Sequence, residues 1–228
     1  MPDTLPVAFT DGQKADIRRF CGYPAYGAGC AARRVGFLHD AYRPAGPCEP
    51  LELANRFMRL CVALVLPGGS VGGPGGFGVP FRQAWADWSY LQIGDYLAGP
   101  EGVMFVASIE PPKPMLVVMT NARVTLVRAG AVGQAGLNGY AAAGPGLEMP
   151  LLMGFPASLL VGGTGDRTRN GLPDDTKTPG FTALLPVVDG VVPQVADILT
   201  NERGERYAVN SVEETGGVWR LSAVQAVR

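Results

Sequence analysis

The stretch Asp95-Tyr-Leu-Ala-Gly-Pro-Glu-Gly102-Val-Met-Phe105-Val-Ala-Ser-Ile109 recurs further along the chain as Asp197-Ile-Leu-Thr-Asn-Glu-Arg-Gly204-Glu-Arg-Tyr207-Ala-Val-Asn-Ser211-Val212. Asp, Leu, Gly and an aromatic keep their gaps in both copies: Asp95 and Asp197, Leu97 and Leu199, Gly102 and Gly204, Phe105 and Tyr207. Each copy reads as a short strand, a tight turn ending in glycine, and a second strand whose aromatic faces a core. A carboxylate before a tight turn accepts backbone amides and fixes the turn. Asp95, Gly102, Asp197 and Gly204 are therefore expected to be structural turn residues, in a small antiparallel β unit used twice.

Working outward, Met115 to Met119 and Arg123 to Val127 read as strands divided by Thr120-Asn-Ala. Phe181 to Val188 is an apolar strand, and Val218 to Val224 alternates cleanly, with Trp219, Leu221 and Ala223 on one face and Arg220 and Ser222 on the other. Toward the N-terminus the period changes. Thr10-Asp-Gly-Gln13 is a capping box, Ile17 and Phe20 supply an apolar edge, and Cys21-Gly22 stops the helix. Tyr23-Pro24 and Tyr26-Gly27 read as an ordered turn. A second helix is predicted from Pro50 to Leu66, where Leu53, Phe57, Leu60 and Leu64 share a stripe; the run Leu60 to Leu66 also fits a buried strand. Gly68 to Gly78 is glycine-rich and burdened with a large ordering entropy, and no Gly-Lys-Ser/Thr follows to make it a phosphate loop. Two further long loops are expected at Gly130 to Pro150 and Gly162 to Pro179.

The fold class expected from this pattern is α+β, mainly β. A small N-terminal helical module over 1–67 is followed by a Gly/Pro-rich linker at 68–84, a first β unit at 85–150 and a second at 151–228. The 32 glycines and 20 prolines favour short strands and many turns over a helical bundle. Apolar residues at 47% and charged residues at 17% make the chain globular. The net charge of −1 lacks the positive excess of a dedicated nucleic-acid or membrane-surface binder. No apolar window is long enough for a transmembrane helix, and Met1-Pro-Asp-Thr-Leu-Pro has no basic or apolar leader region, so synthesis in the cytoplasm is expected.

Chemistry-bearing residues are few. Cys21, Cys30, Cys48 and Cys61 are irregularly spaced, with no C-x-x-C and one histidine in the chain, so buried free thiols are expected rather than a metal site. His39 beside Asp40 is the one histidine that a Ser-His or Cys-His device could use; a surface or partly packed role is the simpler reading. Asp174-Asp175 and Glu213-Glu214 sit in turn-like contexts. No catalytic residue, cofactor or metal is assigned. Arg167, Arg169 and Lys177 place three cations on one polar loop, where Asp166, Asp174 and Asp175 cancel them locally.

Three stretches resemble structural proteins of tailed bacteriophages and prophages. Thr10-Asp-Gly-Gln-Lys-Ala-Asp-Ile-Arg-Arg-Phe-Cys-Gly-Tyr-Pro24 is similar to the opening of head–tail connector proteins. The second is Gly94-Asp-Tyr-Leu97 through Phe105-Val-Ala with Pro114 to Val118 and Asn121-Ala-Arg-Val124, and the third runs from Gly154 through Asp197-Ile-Leu-Thr to Trp219-Arg-Leu221. The resemblance implies a virion protein of the neck, an adaptor or head-closure component between portal and tail, assembled in the host bacterial cytoplasm. Its implied partners are copies of itself in a ring, portal and tail or neck proteins, and packaged DNA, with no membrane. Candidate assembly contacts are Arg18, Arg19, Tyr23, Phe77, Arg167, Arg169 and Lys177. A tail, baseplate or capsid-decorating role is the alternative, and a small hydrolase using Cys21 or His39 a remote one.

Overall fold

The structure is a computed structural model that describes residues 24–65, 80–111, 113–129, 148–161 and 180–225. It is mainly β, with one short α-helix on the N-terminal side. That helix, α1, spans Pro24–Val35 and leads into six strands: β1 Phe37–Tyr42, β2 Arg56–Val65, β3 Phe81–Trp85, β4 Tyr96–Gly99, β5 Gly102–Ser108 and β6 Met115–Met119. Six more follow: β7 Ala122–Ala129, β8 Glu148–Val161, β9 Gly180–Pro186, β10 Ile198–Asn201, β11 Arg206–Thr215 and β12 Val218–Gln225. They close into two antiparallel barrels, ordered β1-β2-β3-β6-β5-β4 and β7-β8-β9-β12-β11-β10 around their circumferences. Closure removes the exposed edge strands that would otherwise template aggregation. No described helix is long and apolar enough to cross a membrane.

Each barrel fills its interior by alternation. Ala41, Leu60, Val62, Ala84, Leu97, Met104, Val106, Met115 and Val117 are buried in the first. In the second, Leu126, Ala183, Leu185, Leu199, Tyr207, Val209, Trp219, Leu221 and Ala223 do the same work. The alternation predicted for Trp219, Leu221 and Ala223 is observed, with Arg220 exposed between them.

The two barrels are one topology used twice, and their registers can be matched residue by residue. The Asp95 carbonyl accepts from Val106 N–H and the Asp197 carbonyl from Val209 N–H, both at 2.9 Å. A bulge follows at once in each copy, between Val106 and Ser108 and between Val209 and Ser211. Following the pairings outward equates Tyr96 with Ile198, Phe105 with Ala208, Met104 with Tyr207 and Ala84 with Ala183. It likewise equates His39 with Val124 and Arg43 with Arg128. This corrects the match of Phe105 to Tyr207: the β10–β11 turn, Glu202-Arg203-Gly204, is one residue longer than Pro100-Glu101, so Tyr207 takes the place of Met104.

Three N-terminal expectations are corrected. The helix expected from Pro50 onward does not form: after a single 3-10 turn at Leu53–Asn55 the chain runs as β2 to Val65, in line with the strand reading of the run from Leu60. The stripe Leu53, Phe57, Leu60, Leu64 misleads because burial follows period two, with Leu60 and Val62 inside and Leu53 and Phe57 exposed. From Pro24 through Tyr26-Gly27 the run expected to be a turn is instead the start of α1. Proline suits its first turn, and Ala25, Ala28, Gly29 and Ala32 face the barrel. The boundaries move accordingly: β1 and β2 are staves of the first barrel rather than part of a helical module, the span 68–84 given to the linker already holds most of β3, and the β units divide at Thr120-Asn121 rather than after residue 150. The capping-box helix at Thr10, the glycine-rich segment and the loop at Gly162 to Pro179 lie outside the described residues, as does nearly all of the loop at Gly130 to Pro150.

The barrels are joined by Thr120 and Asn121 alone. The Thr120 N–H donates to the Val103 carbonyl and the Asn121 N–H to the Ala157 carbonyl. The Asn121 side chain pairs with both backbone groups of Leu159, at 2.8 and 2.7 Å. Tyr96, Phe105, Ala107 and Val118 of the first barrel belong to the same apolar cluster as the core of the second. The buried Tyr96 hydroxyl donates to the Pro156 carbonyl at 2.8 Å. The β1–β2 connection also straps across: Pro47 and Glu49 bond the backbone of Met153 on β8.

Candidate functional site

The residues that opened the sequence reading are the best organised polar groups in the described chain. Asp95 and Asp197 are 1% and 2% exposed. Each carboxylate closes the turn that precedes it: Asp95 Oδ2 accepts the Gln92 N–H and Asp197 Oδ2 the Gln194 N–H, both at 2.7 Å. Each also receives a bidentate arginine. Arg43 Nε donates to Asp95 Oδ1 at 2.8 Å and Nη2 to Oδ2 at 2.7 Å; Arg128 does the same to Asp197 at 2.8 and 2.9 Å. The same Nη2 then reaches a loop carbonyl, of Tyr90 in the first barrel and of Val192 in the second.

The result is a clamp built twice, tying the end of β1 (or β7) through a guanidinium to the loop that enters β4 (or β10). Planar, two-pronged recognition of this kind needs arginine, not lysine. The hydrogen bonds each guanidinium donates to its aspartate raise the pKa of Arg43 and of Arg128. Sequence reasoning singled out both aspartates but set them before the turn they fix, whereas each closes the turn preceding it, and it missed both arginines, which sit far off in sequence. The signal was present in the first strand of each repeat: β1, which runs straight into Arg43, and β7, which contains Arg128.

Gly102 and Gly204 take left-handed backbone with φ of +112° and +76°. Such angles are costly for a residue with a Cβ. Around the clamps, the loops present apolar side chains to solvent: Tyr90 is 72% exposed, Val192 59% and Val195 62%. Arg18, Arg19, Tyr23, Phe77, Arg167, Arg169 and Lys177 all lie outside the described residues, as do Cys21 and the Asp174-Asp175 pair. Of the remaining thiols, Cys30 and Cys61 are half-buried and Cys48 is exposed, which corrects the expectation that they would be buried; all three are free.

His39 is not a surface residue. It is fully buried inside the first barrel, with Nδ1 donating to the Phe37 carbonyl at 3.0 Å and Nε2 without a partner. Gly99 lies against its ring and has no room there for a Cβ. A histidine so enclosed meets no solvent or substrate in this conformation. Glu213 and Glu214 are exposed on β11, where Glu213 pairs with Arg220 at 3.7 Å. Among the described residues no three His, Cys, Asp or Glu side chains gather as a metal site. A shallow groove of about 360 Å³ at the barrel junction is lined by Thr120, Asn121, Arg123 and Glu202 among others. Its asparagine is committed to β8, and its arginine backbone N–H donates to Glu202.

No family model, curated protein or solved structure matches this chain.

Proposed function

We propose that this chain is a structural subunit of a tailed-phage virion, acting at the head–tail junction between portal and tail. The observation that carries the structural part is the tandem itself. Two barrels of one topology, each locked by the same Arg–Asp clamp and joined by two residues, make a rigid repeated frame. The clamped loops carry exposed apolar side chains, which suits contact with other subunits. The setting rests on the likeness of Thr10 to Pro24 and the two later stretches to neck proteins. Its partners would be copies of itself, the portal and the tail, and packaged DNA.

The test is to purify particles from a strain producing the phage and identify the chain by mass spectrometry. At a neck position it is present in a few to about a dozen copies per particle, the range a single closed ring provides. Deleting it leaves filled heads and tails unjoined. Copies in the hundreds would move the protein to a capsid-decorating role, and its absence from particles would overturn both readings.

A further inference from the structure

The match between barrels shows what each face of the repeat does: among the described residues its receiving face is covered in both copies and its docking face in only one. The first barrel docks on the second through β5 and β6 against β9 and β8. At the rim of that contact Ile93 lies against Gly217 in the β11–β12 turn, and Gly94 lies against Pro186 and Val187. The same register equates Asp87 with Pro186, and the β2–β3 pair Ala63–Trp85 with the β8–β9 pair Ser158–Leu184. On the first barrel this receiving face is not empty. Helix α1 packs on β2 and β3, and its Gly29 approaches Asp87 so closely that a Cβ would stand 2.8 Å from the Asp87 Cβ. The helix therefore sits on the first barrel as the first barrel sits on the second.

Among the described residues nothing covers the opposite end of the tandem in this way. Val195 and Val192, on the loop matching the one that carries Ile93, are mostly exposed. The face behind them carries Ile198, Ala208 and Val224 where the first barrel docks with Tyr96, Phe105 and Val118. Sizes are exchanged in a complementary way. Inside the chain a large Phe105 belongs with a mid-sized Leu184; between copies a small Ala208 would meet a large Trp85.

We infer that α1 is a removable cap standing in for a neighbouring barrel, and that its displacement opens the β2–β3 face to the second barrel of another copy of this chain. The contact is head-to-tail, so it propagates into a ring or a filament, and α1 keeps the free chain from assembling early, as terminal caps do in repeat proteins. The helix is suited to release: its buried face is only Ala25, Ala28, Gly29 and Ala32, and it carries two glycines. This inference rests on the proposed structural role, and it names the surface and the partner.

The test uses the full chain with Ala31→Pro, an exposed position where proline breaks the helix without touching the barrel. Sedimentation velocity across a concentration series is expected to show self-association at least tenfold tighter than the unaltered chain. Adding Val195→Glu returns it to the starting level, and adding Val161→Glu, an equally exposed valine elsewhere, does not. Ala28→Glu, which lifts the helix by its buried face, gives the same pattern and guards against a folding defect peculiar to the proline. Ala31→Pro with the β-sheet signal intact and no gain in association overturns the inference, as does association that ignores Val195→Glu. Either result leaves the virion proposal standing, since that fails on absence from particles.

Discussion

Asp95 and Asp197 each satisfy one backbone amide and one guanidinium while nearly excluded from water, and burial of this kind is tolerated because both carboxylate oxygens accept hydrogen bonds, two of the three from a cation. Asp95→Asn and Asp197→Asn keep the shape but turn an amide toward the arginine. Each is expected to cost about 1–3 kcal/mol, read from denaturant midpoints. The double variant adds, because the two clamps share no partner. His39 is the opposite case: a buried ring nitrogen with nothing to bond, at a position the second barrel fills with Val124. His39→Val should be neutral or stabilising. Gly99→Ala should cost about 1–3 kcal/mol by overpacking and cost much less in the His39→Val background, a coupling that calorimetric melts of the four proteins measure. Tyr207 supplies the pH dependence. Burial first, and then its bond to Glu205, push its phenol from 10.0 up to about 12. The folded state thus favours the protonated form. Its stabilisation is complete below pH 10 and is lost as pH rises from 10 to 12. Tyr207→Phe should remove part of the alkaline destabilisation in that window and none below it.

At the scale of elements, what the sequence discloses depends on whether burial or propensity decides. β6 and β12 were legible because β6 is a short apolar run and β12 carries its own alternation, each bounded by turn residues; the bounds predicted for Met115–Met119 are those observed. β2 was misread because four leucine and phenylalanine positions happen to satisfy a helical stripe, while its pairing with β1, a long-range contact invisible in local pattern, imposes period two. The clamp was half legible for the same reason: its aspartates mark a local turn, but its arginines are defined only by barrel closure. Helix α1 was hidden by Gly27, read as part of a turn, and it carries a second glycine at Gly29. Their roles differ. A Cβ at Gly27 meets nothing, so Gly27→Ala should firm the helix by about 1 kcal/mol. Gly29→Ala gains the same propensity but must push α1 away from Asp87, and should loosen it. Hydrogen exchange of the helix amides, slower in the first variant and faster in the second, checks the pair. Equal slowing in both would remove the close approach as the reason for Gly29.

For the whole molecule the question is whether two barrels behave as one. Two linking residues and a strap at Pro47–Glu49 would hold them loosely, but the apolar cluster does not stop at the junction. Tyr96 packs edge-on to Phe105 at 5.9 Å and to Phe155 at 6.3 Å, so aromatic side chains bridge the first barrel's outer face and the second barrel's core. Phe105 is fully buried there, and its counterpart on the second barrel is Ala208. Phe105→Ala therefore converts the docking face into the form it has where no barrel is docked. Truncating a buried phenylalanine costs about 3–5 kcal/mol, and the loss falls on the contact between barrels while each interior keeps its own side chains. The unaltered chain should melt in one calorimetric transition whose van't Hoff and calorimetric enthalpies agree. In Phe105→Ala the first barrel should melt separately and earlier, giving two transitions, with the second barrel's clamp still protecting its amides from exchange after the first has opened. A single transition merely shifted to lower temperature would mean that the barrels are coupled through the strap and linker instead.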